Sequence, residues 1–160
     1  MPNDQSLSGR PFLTREPGRL IGRGHAAGDF LEAWAWELLE EQEGFVRVSA
    51  HLPDHVRNPR GQLFGGFTPT YVDMIALFTV RSREQRSSQP SQPRWLATSS
   101  MRVDYFHPIV DPKFIIESRR ETQRGRTHFV LTRFLQDGEL AVIAATTLRE
   151  VALKTPLGDG

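Results

Sequence analysis

The chain has no cysteine in its 160 residues, which rules out a disulfide framework, a thiolate nucleophile and any thiolate-bound metal. Net charge is all but absent as well. The 20 basic and 19 acidic residues leave a formal +1, so no global field draws the protein to nucleic acid or to an anionic membrane. Lysine is nearly missing, occurring only at positions 113 and 154. The remaining cations are arginines, which favour planar, bidentate contacts with phosphate or carboxylate over diffuse attraction. No run approaches the roughly 20 apolar residues of a membrane helix, and residues 1–30 lack the continuous apolar core of a secretory leader. A cytoplasmic location is the expectation. No internal repeat is present either.

What the chain does have is arranged in blocks. Residues 1–28 are rich in Gly, Pro and Arg without sustained periodicity, and read as a flexible or extended N-terminal arm. Residues 29–153 read as one folded domain and 154–160 as a C-terminal tail. Asp29, with Glu32 three positions on, has the form of a capping box. Phe30, Leu31, Trp34, Ala35 and Leu38 make one apolar stripe, so a first helix is expected from Asp29, stopped by Gly44. Phe45 to His51 alternates as a strand, and a proline-bearing loop runs from Pro53 to Gly61. A second helix is predicted over Thr70 to Val80, and an exposed connection over 81–94. Four strands follow, over 95–107, 112–123, 126–136 and 139–151. Asp137-Gly138 suits a tight hairpin, and Arg124-Gly125 can supply a positive φ. One long apolar helix with about five antiparallel strands implies an α+β fold in which a curved sheet wraps the helix.

The most informative stretch runs Asn58-Pro59-Arg60-Gly61-Gln62-Leu63-Phe64-Gly65-Gly66-Phe67-Thr68-Pro69-Thr70-Tyr71-Val72-Asp73. A glycine-punctuated loop enters a helix whose only acid is Asp73. A helix apolar all round is normally buried. An ionised carboxylate there costs several kcal/mol unless hydrogen bonds compensate, so a protein that keeps one usually uses it. The plain alternative is an Asp at the rim of the core. Gly65 and Gly66 are open to two readings as well: backbone donors at a helix entrance, or simply a tight loop-to-helix turn.

With these residues in place, the chain resembles the hotdog-fold acyl-CoA thioesterases, particularly the PaaI-like branch. Their motif reads roughly Asn-x-x-Gly-x-x-His-Gly-Gly, followed seven residues later by Asp or Glu. Asn58, Gly61, Gly65, Gly66 and Asp73 fall at matching spacings, and the likeness extends from about Phe45 through Val151, including Ser99 to Pro108 and Gly125-Arg126-Thr127. The resemblance implies hydrolysis of an acyl- or aryl-CoA thioester. Asp73 would be general base or nucleophile, the Gly65 N–H the oxyanion donor, and Asn58 the holder of water or substrate. Coenzyme A would enter as part of the substrate, with no separate cofactor. Homodimers, or dimers of dimers, with active sites at the subunit interface are implied too. The motif histidine is Phe64 here, which removes a polar group beside the thioester site but leaves the backbone donor in place.

Further residues are candidates for the substrate. Gly66 and Phe64 flank the donor, and Thr98, Ser99 and Ser100 offer hydroxyls at the start of a strand. Arg124 and Arg126, with Arg119 and Arg120, could meet the coenzyme A phosphates or form a solvated basic turn; Arg81, Arg83 and Arg86 form a weaker cluster. Phe67, Tyr71 and Ile75 could line an acyl tunnel or be plain core. His51-Leu52-Pro53 faintly resembles a dehydratase pattern, but neither His51 nor His55 has that branch's spacing to Asp73. His107 and His128 read as structural or exposed, and no His/Asp set has metal-site spacing. Beside the hydrolase stand a non-catalytic acyl-CoA-binding or sensing module and, further off, a hydratase or dehydratase.

Overall fold

Six strands form one antiparallel sheet in the order β1-β2-β4-β5-β6-β3. They are β1 (Glu37–Gln42), β2 (Phe45–His51), β3 (Arg94–Tyr105), β4 (Lys113–Arg124), β5 (Thr127–Gln136) and β6 (Glu139–Ala152). The computed structural model describes residues 17–81 and 94–152. Burial alternates strictly along β5, where His128, Val130, Thr132 and Phe134 face inward, and Val142, Ala144, Thr146 and Leu148 do the same on β6. The inward face packs on the one long helix, α2 (Thr68–Arg81), which buries Tyr71, Val72, Met74, Ile75, Ala76, Thr79 and Val80. Rings fill the centre: Trp36 stacks on Tyr71 at 5.5 Å, and Tyr71 and Phe134 flank Phe114 at 5.5 Å each. Aromatic pairs in such geometries add to the burial of their surface. Between β5 and β6, Asp137 (φ 53°) and Gly138 (φ 80°) both take positive φ, the mirror-image turn whose twist matches the flanking strands. Among the described residues no helix is long and apolar enough to cross a membrane.

The expected first helix does not form as one element. A short helix, α1 (Ala26–Phe30), is capped by His25, whose Nδ1 accepts from the Gly28 N–H at 3.0 Å. Asp29 instead accepts from the Gly24 N–H, with both oxygens at 3.1 Å. Glu32 takes the left-handed conformation (φ 54°) and ends the run, a single 3₁₀ turn follows at Ala33–Ala35, and the chain then becomes β1. Gly44 stops no helix; with φ 69° it closes the β1–β2 hairpin. Tertiary pairing overrides local propensity here. In the strand, Glu37 to Gln42 satisfies its backbone against β2, and the hairpin leaves Trp36 fully buried over Tyr71. The sheet therefore has six strands where about five were expected. The ordered fold also takes in part of the span read as an arm. Leu20 and Ile21 are buried, Arg19 bridges to Glu37, and the Leu38 N–H donates to the Gly18 carbonyl at 2.8 Å. The connection read over 81–94 lies, for 82–93, outside the described residues.

Candidate active site

The loop before α2 is shaped by its own side chains. The Arg57 guanidinium donates to the carbonyls of Gly61 (2.7 Å) and Val110 (2.8 Å), tying the loop to the segment after β3. The Asn58 side-chain Oδ1 accepts from the N–H groups of Arg60 (2.9 Å) and Gln62 (3.1 Å), which is how Asn mimics a backbone turn. The Leu63 N–H donates to Ile109 and the Phe64 N–H to Val56, so the chain reaches the helix entrance with its backbone anchored on both sides. Asn58 is thus engaged in shaping its own loop.

A single 3₁₀ turn, Gly65–Phe67, leads into α2. The N–H groups of Gly65 and Gly66 open this turn, where no preceding helical carbonyl can accept from them, and both residues are exposed. The Gly65 carbonyl is held twice, by the Thr68 N–H and by the Tyr105 hydroxyl at 2.7 Å. The Phe64 ring, 49% exposed, folds against Gly66 so closely that a Cβ there would meet Phe64 Cε1 at 2.6 Å. Phe64 meets Phe67 edge-on at 5.4 Å, Phe67 meets Phe30 at 5.4 Å, and Phe30 meets His55 at 5.0 Å, an aromatic row beside the helix entrance.

Asp73 lies in the second turn of α2 and is half-buried, not enclosed by core. It faces β3, the last strand of the sheet, beyond which no further strand lies among the described residues. Its Oδ1 accepts a hydrogen bond from the Thr98 hydroxyl. A bulge between Thr98 and Ser100 separates the three neighbouring hydroxyls. Thr98 stays on the helix side, the Ser99 hydroxyl donates to the Thr147 carbonyl at 3.1 Å, and Ser100 pairs with Thr147. Of these three, the structure brings Thr98 alone to the carboxylate. Gly65 opens the turn that leads into α2 and Asp73 lies eight residues further on, about 12 Å at helical rise.

The arginines divide by position. Arg119 lies over the Phe45 ring at 4.5 Å and Arg120 pairs with Glu43 at 3.3 Å. Arg124 and Arg126 stand exposed at the β4–β5 hairpin, where Gly125 takes φ 55°. Register places that hairpin at the level of Thr98, through Leu148, His128 and Gln123 in successive strands. Arg81 is half-buried at the end of α2, and burial lowers its pKa; Arg83 and Arg86 lie outside the described residues. Tyr71 and Ile75 are core, while Phe67 is only partly covered. His51 pairs with Glu32 at 2.9 Å, His107 is exposed, and His128 is fully buried against Glu150 at 2.9 Å. Among the described residues no group of three or more acidic or histidine side chains could hold a metal ion. The sequence reading assigned no role to Tyr105 and missed the His128–Glu150 pair. The first had a signal in a tyrosine on the strand after the helix, the second none at 22 residues' separation.

No protein-family model and no curated protein matches the chain. Solved structures do match. A candidate thioesterase, a phenylacetic acid degradation-related protein from Ralstonia eutropha, is 18% identical with a TM-score of 0.65, over 79% of this chain and 90% of that one. A thioesterase from Haemophilus influenzae is 12% identical with a TM-score of 0.65, over 82% of this chain and 86% of its own. A hypothetical thioesterase from Streptococcus pneumoniae, solved with coenzyme A, is 19% identical with a TM-score of 0.62, over 75% and 88%. The chain has the fold of these proteins, the hotdog arrangement of a curved antiparallel sheet around one long helix.

Proposed function

We propose that this protein hydrolyses an acyl- or aryl-CoA thioester to the free acid and coenzyme A, with sites built between two copies of the chain. The observation that carries this reading is the placement of Asp73. It is a carboxylate anchored by Thr98 on an otherwise apolar helix, at the open edge of the sheet, eight residues beyond the exposed Gly65 and Gly66 donors. The separation of about 12 Å within one chain is met by a second copy, whose Asp73 approaches the first copy's Gly65. β3 supplies a surface for that copy. Its outer edge has no strand partner among the described residues, and Trp95, Tyr105 and Phe106 on or beside it are each more than half exposed. Unpaired edges invite pairing with another chain.

In this site the thioester carbonyl accepts from the Gly65 N–H, strengthened by the positive end of α2. Asp73 of the partnering copy takes a proton from water as the water oxygen attacks the carbonyl carbon. The C–S bond breaks from the tetrahedral intermediate, and the departing thiolate takes the proton held by Asp73, which returns to its carboxylate form. Direct attack by Asp73 to form a mixed anhydride, which water then opens, uses the same geometry. Asn58 serves by shaping the loop that presents Gly65. Arg124 and Arg126, exposed on the β4–β5 hairpin, are our candidates for the phosphates of coenzyme A. The Streptococcus pneumoniae structure with coenzyme A supports that choice of carrier by analogy of fold.

The test is thiol release from phenylacetyl-, benzoyl-, hexanoyl- and palmitoyl-CoA by wild type and Asp73→Asn at matched oligomeric state. Turnover with at least one ester is expected, falling a hundredfold or more in the variant. Absence of turnover alongside undiminished acyl-CoA binding would replace the hydrolase with a binding or sensing module, the reading that exposed Phe64 at the histidine position favours. A hydratase has less support, since His128 is fully buried and neither His51 nor His55 has that branch's spacing to Asp73.

A further inference from the structure

We infer that Tyr105 is a positioning residue for the oxyanion donors, resting on the thioester-hydrolase reading of the same site. Its hydroxyl donates to the Gly65 carbonyl at 2.7 Å, on the one peptide of the helix entrance whose oxygen also accepts from the Thr68 N–H. Two donors on one carbonyl fix the orientation of its peptide plane. That plane continues through the Gly66 nitrogen, because the bond is planar and trans. Pinning the oxygen therefore aims the Gly66 N–H outward on the opposite side, and charge drawn toward the oxygen polarises that N–H. The Gly65 N–H lies on the preceding peptide, whose Phe64 carbonyl accepts from the Phe67 N–H at 2.9 Å, so two held peptides meet at the Gly65 Cα. The Tyr105 ring lies beside this turn, where its Cε1 would meet a Gly65 Cβ at 3.7 Å.

Tyr105 does not act from an arbitrary place. It sits on the helix-facing side of β3, as does Thr98, so one edge strand tethers both ends of the machinery, the carboxylate through Thr98 and the glycine turn through Tyr105. Both contacts are made by hydroxyls without charge. Removing the hydroxyl alone leaves the Gly65 carbonyl with the Thr68 N–H as its remaining donor, so the helix entrance stays formed while its peptide plane loses one of its two holds.

The experiment compares wild type with Tyr105→Phe using the best ester of the panel. The kcat is expected to fall about tenfold, with KM within twofold, because orientation of a donor is felt at the tetrahedral stage more than on binding. Thermal midpoint and oligomeric state are expected to stay at wild-type values; a merely structural contact would move these and spare the split between kcat and KM. An independent readout is the Gly66 amide proton resonance, expected to move upfield in Tyr105→Phe without any substrate. Wild-type kcat in the variant, or an unmoved Gly66 resonance, would overturn the inference and leave the hydrolase intact. A wild type inactive toward every ester would sink the hydrolase reading, and the catalytic role of Tyr105 with it.

Discussion

Tyr71 shows how one residue ties core and loop together. It is fully buried, its ring lies between Trp36 and Phe114, and its hydroxyl donates to the His51 carbonyl at 2.9 Å. Burial is the main force raising its pKa above the usual 10.0; the charge of Glu32 adds to this, and that of Arg57 opposes it. The unfolded chain gives up this proton near the usual value while the folded chain keeps it. The contribution is therefore complete below about pH 9 and is lost above about pH 10, at about 1.4 kcal/mol per pH unit. Tyr71→Phe should cost about 1 kcal/mol at pH 8, by leaving the His51 carbonyl without its donor. It should also flatten the alkaline decline. Urea midpoints for both proteins at pH 8 and pH 11 measure this; parallel declines would mean that Tyr71 keeps its ordinary titration in the fold.

At the scale of elements, the turn into α2 is the part whose sequence admits least change. Gly66 needs its missing Cβ because the Phe64 ring occupies the space, not because of its backbone angle. Gly66→Ala must push the half-exposed ring aside and should cost about 1 kcal/mol, the low end of the overpacking range. Adding Phe64→Ala removes the obstacle, so the double variant should regain most of that loss. A thermal melt of the two singles and the double closes the cycle, and equal losses with and without Phe64 would show that something else needs this glycine. Much of this element was legible in the sequence, since glycine spacing, an apolar run and one acid are all local signals. The loop's use of Asn58 was only half legible, because an amide that builds a turn and one that holds water share one spelling. The first helix was misread for a related reason. The stripe through Phe30, Leu31, Trp34 and Leu38 is helical in spacing, and nothing local announces that Gly44 turns the chain back against β2.

For the whole molecule, the prediction concerns which chain supplies which group. Gly65→Pro deletes the donor N–H at a first-turn position where proline fits. The preceding Phe64 already has the extended angles (φ −66°, ψ 125°) that a following proline requires. Gly65→Pro and Asp73→Asn should each be inactive alone. Co-assembled at equal amounts, they should recover about a quarter of wild-type activity, since half of randomly paired dimers are mixed and each of those holds one intact site of two. No recovery in verified mixed dimers would place Asp73 and Gly65 of one chain in one site, against the helix rise that separates them.

The sequence by itself determined the elements whose signals are short-ranged: α2 from its apolar run, β2 from period-two alternation, β3 to β6 as strand runs separated by turn residues, the β5–β6 hairpin from Asp137-Gly138, and Asp73 as the lone acid of an apolar helix. Tertiary structure alone decided what depends on which strands lie side by side. It made β1 a strand, drew Leu20 and Ile21 into the core, chose Thr98 over Ser99 and Ser100 through a bulge, and set Tyr105 against Gly65 across 40 residues. The physical reason is range. Propensity and periodicity act over one or two turns of chain, whereas a hydroxyl's partner is settled by sheet register, which is a property of the assembled sheet.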